Sequence, residues 1–288
     1  MKKINLICTG MLVTLATGVI YAGELSANKI SLNKWTGFYL GGNIGGAWAD
    51  PSINIKTVNT FSTTDISTKA TVAPSVKASS GIITEHNNGA LAGILLGYNY
   101  QIATKLITGF EADIQAIDSH HQNSLNQAAP RVGVPSAVTA TLTATLTASQ
   151  QTNYLVTVRG RIGRLLSPSN SWLAYFTGGL AYGGIQSSTS INGGETPKTI
   201  TTDFSSAGSV SKTQTGYILG AGLEKFVASR WSAKMEYLYY DLGTVTYSNG
   251  ILNSYGVTKG TLRYTNASSS SVRFNGNIIR LGLSYHFS

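Results

Sequence analysis

The 288 residues carry a hydrophobic share of 42% but a charged share of only 11%, far below the roughly 25% of average soluble domains. With 32 glycines and 15 tyrosines among abundant Ser and Thr, the composition favours many strands joined by polar connections over packed helices. A formal net charge of +9 invites a nucleic-acid partner, but Lys and Arg are scattered and no recognised binding motif occurs, which excludes that class.

The chain opens with Lys2 and Lys3, an apolar stretch from Ile4 to Ile20 and the small-residue site Tyr21-Ala22-Gly23, the pattern of a secretory signal. Cleavage is expected after Ala22, giving a signal peptide over 1–22. The competing reading is a membrane anchor, for which roughly 17 apolar residues suffice, but the Thr and Gly interruptions and the position favour the signal. Cys8, the only cysteine, lies inside this segment, so the mature chain offers neither a disulfide nor a thiol nucleophile. Residues 23–34 read as a short polar leader and 35–288 as one barrel domain.

Period-2 alternation then recurs along the chain. In 35–49, Phe38, Leu40, Ile44 and Trp48 share one phase, and Tyr39, Asn43 and several glycines the other. In 89–101, Ile94, Leu96, Tyr98 and Tyr100 oppose Leu95, Gly97 and Asn99. The third strand, 106–117, sets Leu106, Phe110, Ala112 and Ile114 against Gly109, Glu111, Asp113 and Gln115. The fourth, 151–163, sets Tyr154, Val156, Val158 and Ile162 against Thr157, Arg159 and Arg161; upstream of it the run 140–148 also alternates, so this strand is expected to reach beyond a membrane. Strands over 172–184, 215–226 and 231–242 follow. The last, 277–287, is the clearest: Ile279, Leu281, Leu283, Tyr285 and Phe287 form one apolar face, with Arg280, Ser284 and His286 on the other.

Between these eight strands the connections alternate in length. Residues 50–88, 118–150, 185–214 and 243–276 are long and rich in Ser, Thr, Asn and Gly, whereas 102–105, 164–171 and 227–230 are short. Short periplasmic turns, long outer loops and an even strand count belong to transmembrane barrels, and a soluble sandwich has no reason to segregate its connections this way. The outward aromatics agree. Phe38, Tyr98, Tyr100, Trp172, Trp231, Tyr285 and Phe287 fall near one end of the strands, and Trp48, Tyr154, Tyr182, Tyr217 and Tyr239 near the other, with Phe110 the main exception. Two belts are what two membrane interfaces select. The fold class is therefore all-β: an eight-stranded antiparallel up-and-down transmembrane β-barrel with four long outer loops, located in the cell outer membrane.

The segments WTGFYLGGNIGGAW, GILLGYNYQ, GFEADIQ, TVRGRIG, YFTGGLAYG, GYILGAGLE, EYLYYDLG and RLGLSYHF resemble the porin-like and opacity-type surface antigens of Gram-negative bacteria. The resemblance covers the predicted strands and none of the long connections. It implies an outer-membrane barrel with a structural and interaction role, adhesin- or antigen-like, with a narrow porin or a haemin-binding uptake protein as the alternative. It also implies that the terminal strand, with Gly282, Tyr285 and Phe287, is read by the outer-membrane assembly machinery, although Ser288 follows Phe287 here. Expected partners are outer-membrane lipid, lipopolysaccharide, and a host surface or haemin reached through the loops.

The inward phase is where a pore would lie. Glu111 and Asp113 face Arg159 and Arg161 on the neighbouring strand, and Glu224, Lys234, Glu236 and Arg280 gather on strands six to eight. Unpaired buried charges are costly, and an eight-stranded barrel has only enough interior for side chains. These eight residues are therefore expected to plug the lumen as a charge network, with inward Gly97, Gly109, Gly220, Gly222 and Gly282 making room for them. An ion pathway is the competing reading of the same residues. Ser284 and His286 share a face at the periplasmic end, the wrong leaflet for lipid-A hydrolysis, so no catalytic role is expected. His120 and His121, with His86, could contact haemin. Adjacent histidines diverge and no third ligand has usable spacing, so no metal site is expected. Excess positive charge suits anionic lipopolysaccharide.

Overall fold

Alternating residues of this kind form strands that satisfy their backbone only by pairing, and in a membrane the pairing must close on itself. The computed structural model describes residues 34–49, 51–62, 79–84, 87–118, 120–130, 141–166, 171–196, 204–256 and 262–287. The expected signal peptide and all of the leader but Lys34 lie outside the described residues. The strands are β1 (Gly37–Ala49), β2 (Ser52–Ser62), β3 (Gly81–Thr84), β4 (Asn87–Ala103), β5 (Leu106–Asp118), β6 (His120–Pro130), β7 (Thr141–Leu165), β8 (Trp172–Thr196), β9 (Phe204–Phe226), β10 (Trp231–Gly256) and β11 (Leu262–His286).

Eight of them close a ring in the order β1-β4-β5-β7-β8-β9-β10-β11, and β1 returns to β11 with Leu40 opposite Tyr285 and Ile44 opposite Leu281. Every pairing in the ring is antiparallel. These eight correspond to the eight strands expected from the sequence. Backbone hydrogen bonds join described residues on either side of two of the short connections: Val227 N–H donates to the Trp231 carbonyl at 2.9 Å and Leu166 N–H to the Trp172 carbonyl at 3.0 Å.

The long connections differ from expectation. Much of their length is strand: β2 pairs the upper part of β11, β3 pairs β2, and β6 pairs the upper part of β7. β7, β8, β10 and β11 each run for 25 or 26 residues, well over twice the roughly 10 that a tilted membrane-spanning strand needs. Two bulges explain why the alternation breaks along the sequence. On β7 the bulge between Thr152 and Tyr154 changes the inward set from Leu155, Thr157, Arg159 and Arg161 to Ala144, Leu146, Ala148, Gln150 and Thr152. On β10 the bulge between Asp241 and Thr244 does the same. There Gly243 takes a φ of 80°, a conformation that side chains resist.

Above these points the polarity of the wall inverts. Outward residues of β7 are Tyr154, Val158 and Ile162 in the lower half but Thr143, Thr145, Thr147 and Ser149 in the upper half. The inward residues change in the opposite sense, from Arg159 and Arg161 to Leu146 and Ala148. The lower half faces lipid and the upper half faces water. Exposed Trp48, Tyr154, Tyr182 and Tyr217 mark the border, and Trp231 to Tyr239 on β10 spans the apolar band. At this border, outside the apolar band, the Arg273 guanidinium hydrogen-bonds Asp241 and holds its carboxyl below the usual range.

Candidate functional site

The lumen is layered. At the periplasmic mouth the chain enters the barrel before β1 begins, and Gly37, at φ 137°, makes the turn that leaves Trp35 fully buried. Trp35 packs with Ile107, Leu165, Leu173, Tyr175 and Phe226, its ring 4.5 Å from that of Phe226 in edge contact. Phe226 and His286 are in ring contact at 4.7 Å, and His286 stacks on Tyr39 at 5.2 Å.

Above this plug the register places opposite charges side by side: Glu111 lies opposite Arg159 across β5 and β7, and Glu236 opposite Arg280 across β10 and β11. Glu111 is the hub. Its carboxylate accepts from Arg159, from Lys234 Nζ at 2.6 Å and from Arg280 Nη2 at 3.4 Å. Asp113 accepts from Arg159 at 2.8 Å and Arg280 at 3.0 Å. Glu236 accepts from Arg280 Nε at 2.8 Å and Arg159 Nη1 at 3.4 Å. Arg161 donates to Glu224 at 2.6 Å. All eight charged residues named from the sequence thus meet in one buried layer, four cations against four carboxylates, with side-chain exposure of at most 2%.

Three members of the layer escaped sequence reasoning. Tyr39 donates to Glu111 at 2.9 Å and accepts from Arg161 at the same distance. Gln115 accepts from Arg280 at 3.2 Å. The Arg161 guanidinium lies 4.0 Å from the centre of the Tyr175 ring, a cation–π contact. The inward phase of Tyr39 and Gln115 is visible in the alternation, but these contacts cross the barrel and depend on ring closure. The inward glycines divide by role. A Cβ on Gly97 would strike the Tyr39 ring, one on Gly222 would meet Tyr175 and Glu236, and one on Gly282 would meet Lys234 at 3.0 Å. Gly109 and Gly220 instead admit neighbouring backbone, not charged side chains.

The third layer was not expected. Leu155, Ala181, Ile218, Leu238 and Ile278 begin an apolar core that continues through Leu242, Val245 and Phe274 to Ile53, Ile55, Leu146 and Ile191 in the upper wall. Apolar side chains as well as charges therefore occupy the interior among the described residues. The signal for it was the spaced Leu and Ile within Ser/Thr-rich stretches.

At the periplasmic end His286 Nε2 lies 2.9 Å from Ser232 Oγ, and Ser232 donates to Glu224 at 2.6 Å. Glu224 also approaches the same His286 nitrogen, at 3.5 Å. In a hydrolytic triad the acid holds the other ring nitrogen, so this cluster is not arranged as one. Ser284, which the alternation places on the same face as His286, is buried and makes no hydrogen bond through its side chain among the described residues. The terminal strand sets Tyr285 and Phe287 outward at the lower rim, where Phe287 N–H donates to the Phe38 carbonyl at 3.0 Å, and it sets Gly282 inward. His120 and His121 open β6 opposite Gln151 and Gln150; their side chains, and His86, lie outside the described residues. Among the described residues no cluster of His, Cys, Asp and Glu could hold a metal ion.

A family model described as outer membrane protein beta-barrel domain matches residues 15–287. The 31 kDa outer-membrane immunogenic protein of Brucella melitensis biotype 1 is 28% identical over 265 residues, 91% of this chain and 88% of the relative. The 22 kDa outer membrane protein of Rhizobium leguminosarum is 35% identical over 101 residues, 33% of this chain and 39% of the relative. Among solved structures, the outer membrane protein OprG of Pseudomonas aeruginosa aligns over 88% of this chain and 96% of its own at 10% identity, with a TM-score of 0.37. That likeness is too distant to bear on function.

Proposed function

The chain belongs to the outer membrane protein beta-barrel domain family, and from that premise we propose that it is a non-conducting surface protein whose lumen is a structural plug. Its working surface is the polar wall that β2, β3, β6 and the upper parts of β7 to β11 raise above the membrane. The observation that carries this reading is the interior: a layer of four cations and four carboxylates, with side-chain exposure of at most 2%, lies between the Trp35 cluster and the apolar core and occupies the cross-section in which an open polar path would run. A porin needs such a path. The word immunogenic in the name of the Brucella relative supports surface presentation here. Interaction with a partner falls to the Ser- and Thr-rich outward face, which has the exposure that binding requires. Gly282 and outward Tyr285 of β11, with Phe287 just past the strand's end, serve in this reading as the assembly signal.

Since Cys8 is the only native cysteine, introduced single cysteines test the orientation. In intact cells a membrane-impermeant maleimide labels Thr147→Cys on the upper wall. It labels Lys105→Cys in the β4–β5 turn only after the outer membrane is permeabilised, and Val158→Cys weakly throughout. Labelling of Lys105→Cys without labelling of Thr147→Cys in intact cells would overturn the reading.

A further inference from the structure

The charges of the chain divide unevenly along the barrel axis. The lumen layer is neutral. The excess positive charge expected to meet lipopolysaccharide lies largely elsewhere: the periplasmic ends and turns, 34–37, 101–106, 164–172 and 225–231, carry Lys34, Lys105, Arg164, Lys225 and Arg230 and not one Asp or Glu. All five cations are exposed. At the outer border, by contrast, exposed Arg273 is paired with Asp241.

Two of the rim cations are held on the lower aromatic band. Lys225 Nζ sits 4.9 Å from the Trp172 ring, and Arg230 donates to the Tyr285 hydroxyl at 3.0 Å. Arg164 ends the outward face of β7 and lines a shallow apolar groove of about 610 Å³ in the lipid-facing wall. Ile162, Phe176, Leu223 and Met235 border the groove, with Ala174 and Ala221 between them.

We propose that this rim selects anionic glycerophospholipids of the periplasmic leaflet, with an acyl chain in the groove and its headgroup phosphate against Arg164, and with Lys225 and Arg230 each against a further headgroup of the same leaflet. An apolar groove with a cation at its interfacial end matches a lipid and does not match a soluble anionic polymer. The wide aromatic–cation band matches a headgroup layer. Each cation at that level contributes about 1 kcal/mol toward an anionic surface, or about fivefold in affinity.

The test is quenching of tryptophan fluorescence by brominated lipid in refolded protein. Trp35 is buried in the lumen, so in a Trp48→Phe variant the lipid-facing reporters are Trp172 and Trp231. Brominated phosphatidylglycerol should outcompete brominated phosphatidylcholine about fivefold at the rim. The preference should fall toward unity at high salt and in the Arg164→Gln, Lys225→Gln, Arg230→Gln triple variant. With Trp48 as sole lipid-facing reporter, in Trp172→Phe, Trp231→Phe, no preference is expected. Equal quenching by both lipids at the rim, or a preference that survives high salt or the triple substitution, would overturn the proposal. The salt series on the protein with its native rim decides it even if the triple variant does not fold.

Discussion

Glu111 sits where four cations converge, and its removal shows what the lumen layer is for. Arg159, Arg161, Lys234 and Arg280 all lie within 3.5 Å of its carboxylate. Breaking a buried ion pair from one side typically costs about 3–5 kcal/mol, because the remaining charge stays buried and uncompensated. Glu111→Gln should therefore lower the stability of the folded barrel by about that amount, read from urea midpoints in lipid vesicles. Adding Lys234→Met restores neutrality to the layer and should recover much of the loss. A Glu111→Gln midpoint equal to that of the unaltered protein would mean the layer is hydrated and the charges are screened. At this scale the sequence was informative where partners are neighbours in the ring, as with Glu111 and Arg159. It was silent on Tyr39 and Gln115, whose partners lie across a barrel that alternation alone does not close.

Within a single strand, β7 passes through two solvents. Outward Val158 lies near the middle of the apolar band and is 51% exposed to lipid, while outward Thr147 belongs to the upper wall. The same substitution should therefore have opposite consequences on one strand. Val158→Arg should cost about 2–4 kcal/mol, the cost of a charge near the bilayer midplane. Thr147→Arg should stay within about 0.5 kcal/mol, as an ordinary surface change does. Equal effects would place both positions in one environment and remove the inversion of polarity. The sequence disclosed the lower halves of the strands because their outward faces are unbroken and apolar. It hid the upper halves for two physical reasons. The bulges at Thr152/Tyr154 and Asp241/Thr244 shift the inward phase by one residue, and the upper wall buries small or isolated apolar groups such as Ala144, Leu146 and Ala148 among Thr and Ser, which reads as polar loop.

Across the whole molecule, ring closure, interior filling and charge placement support one another. Eight strands fix a narrow interior. Trp35 and Phe226 fill it at the periplasmic end, the charge layer at the middle and the apolar core above. The net positive charge left over after the lumen neutralises itself sits mainly on the periplasmic rim, not around a pore. A lumen filled in this way should carry no ions. Single-channel recording of the refolded protein in a planar bilayer, alongside proof of folding by heat-modifiable gel mobility, tests this most directly. Folded protein should give no discrete conductance steps. Reproducible steps with charge selectivity, altered by Arg159→Ala or Glu236→Ala, would contradict it and make the charge layer a filter.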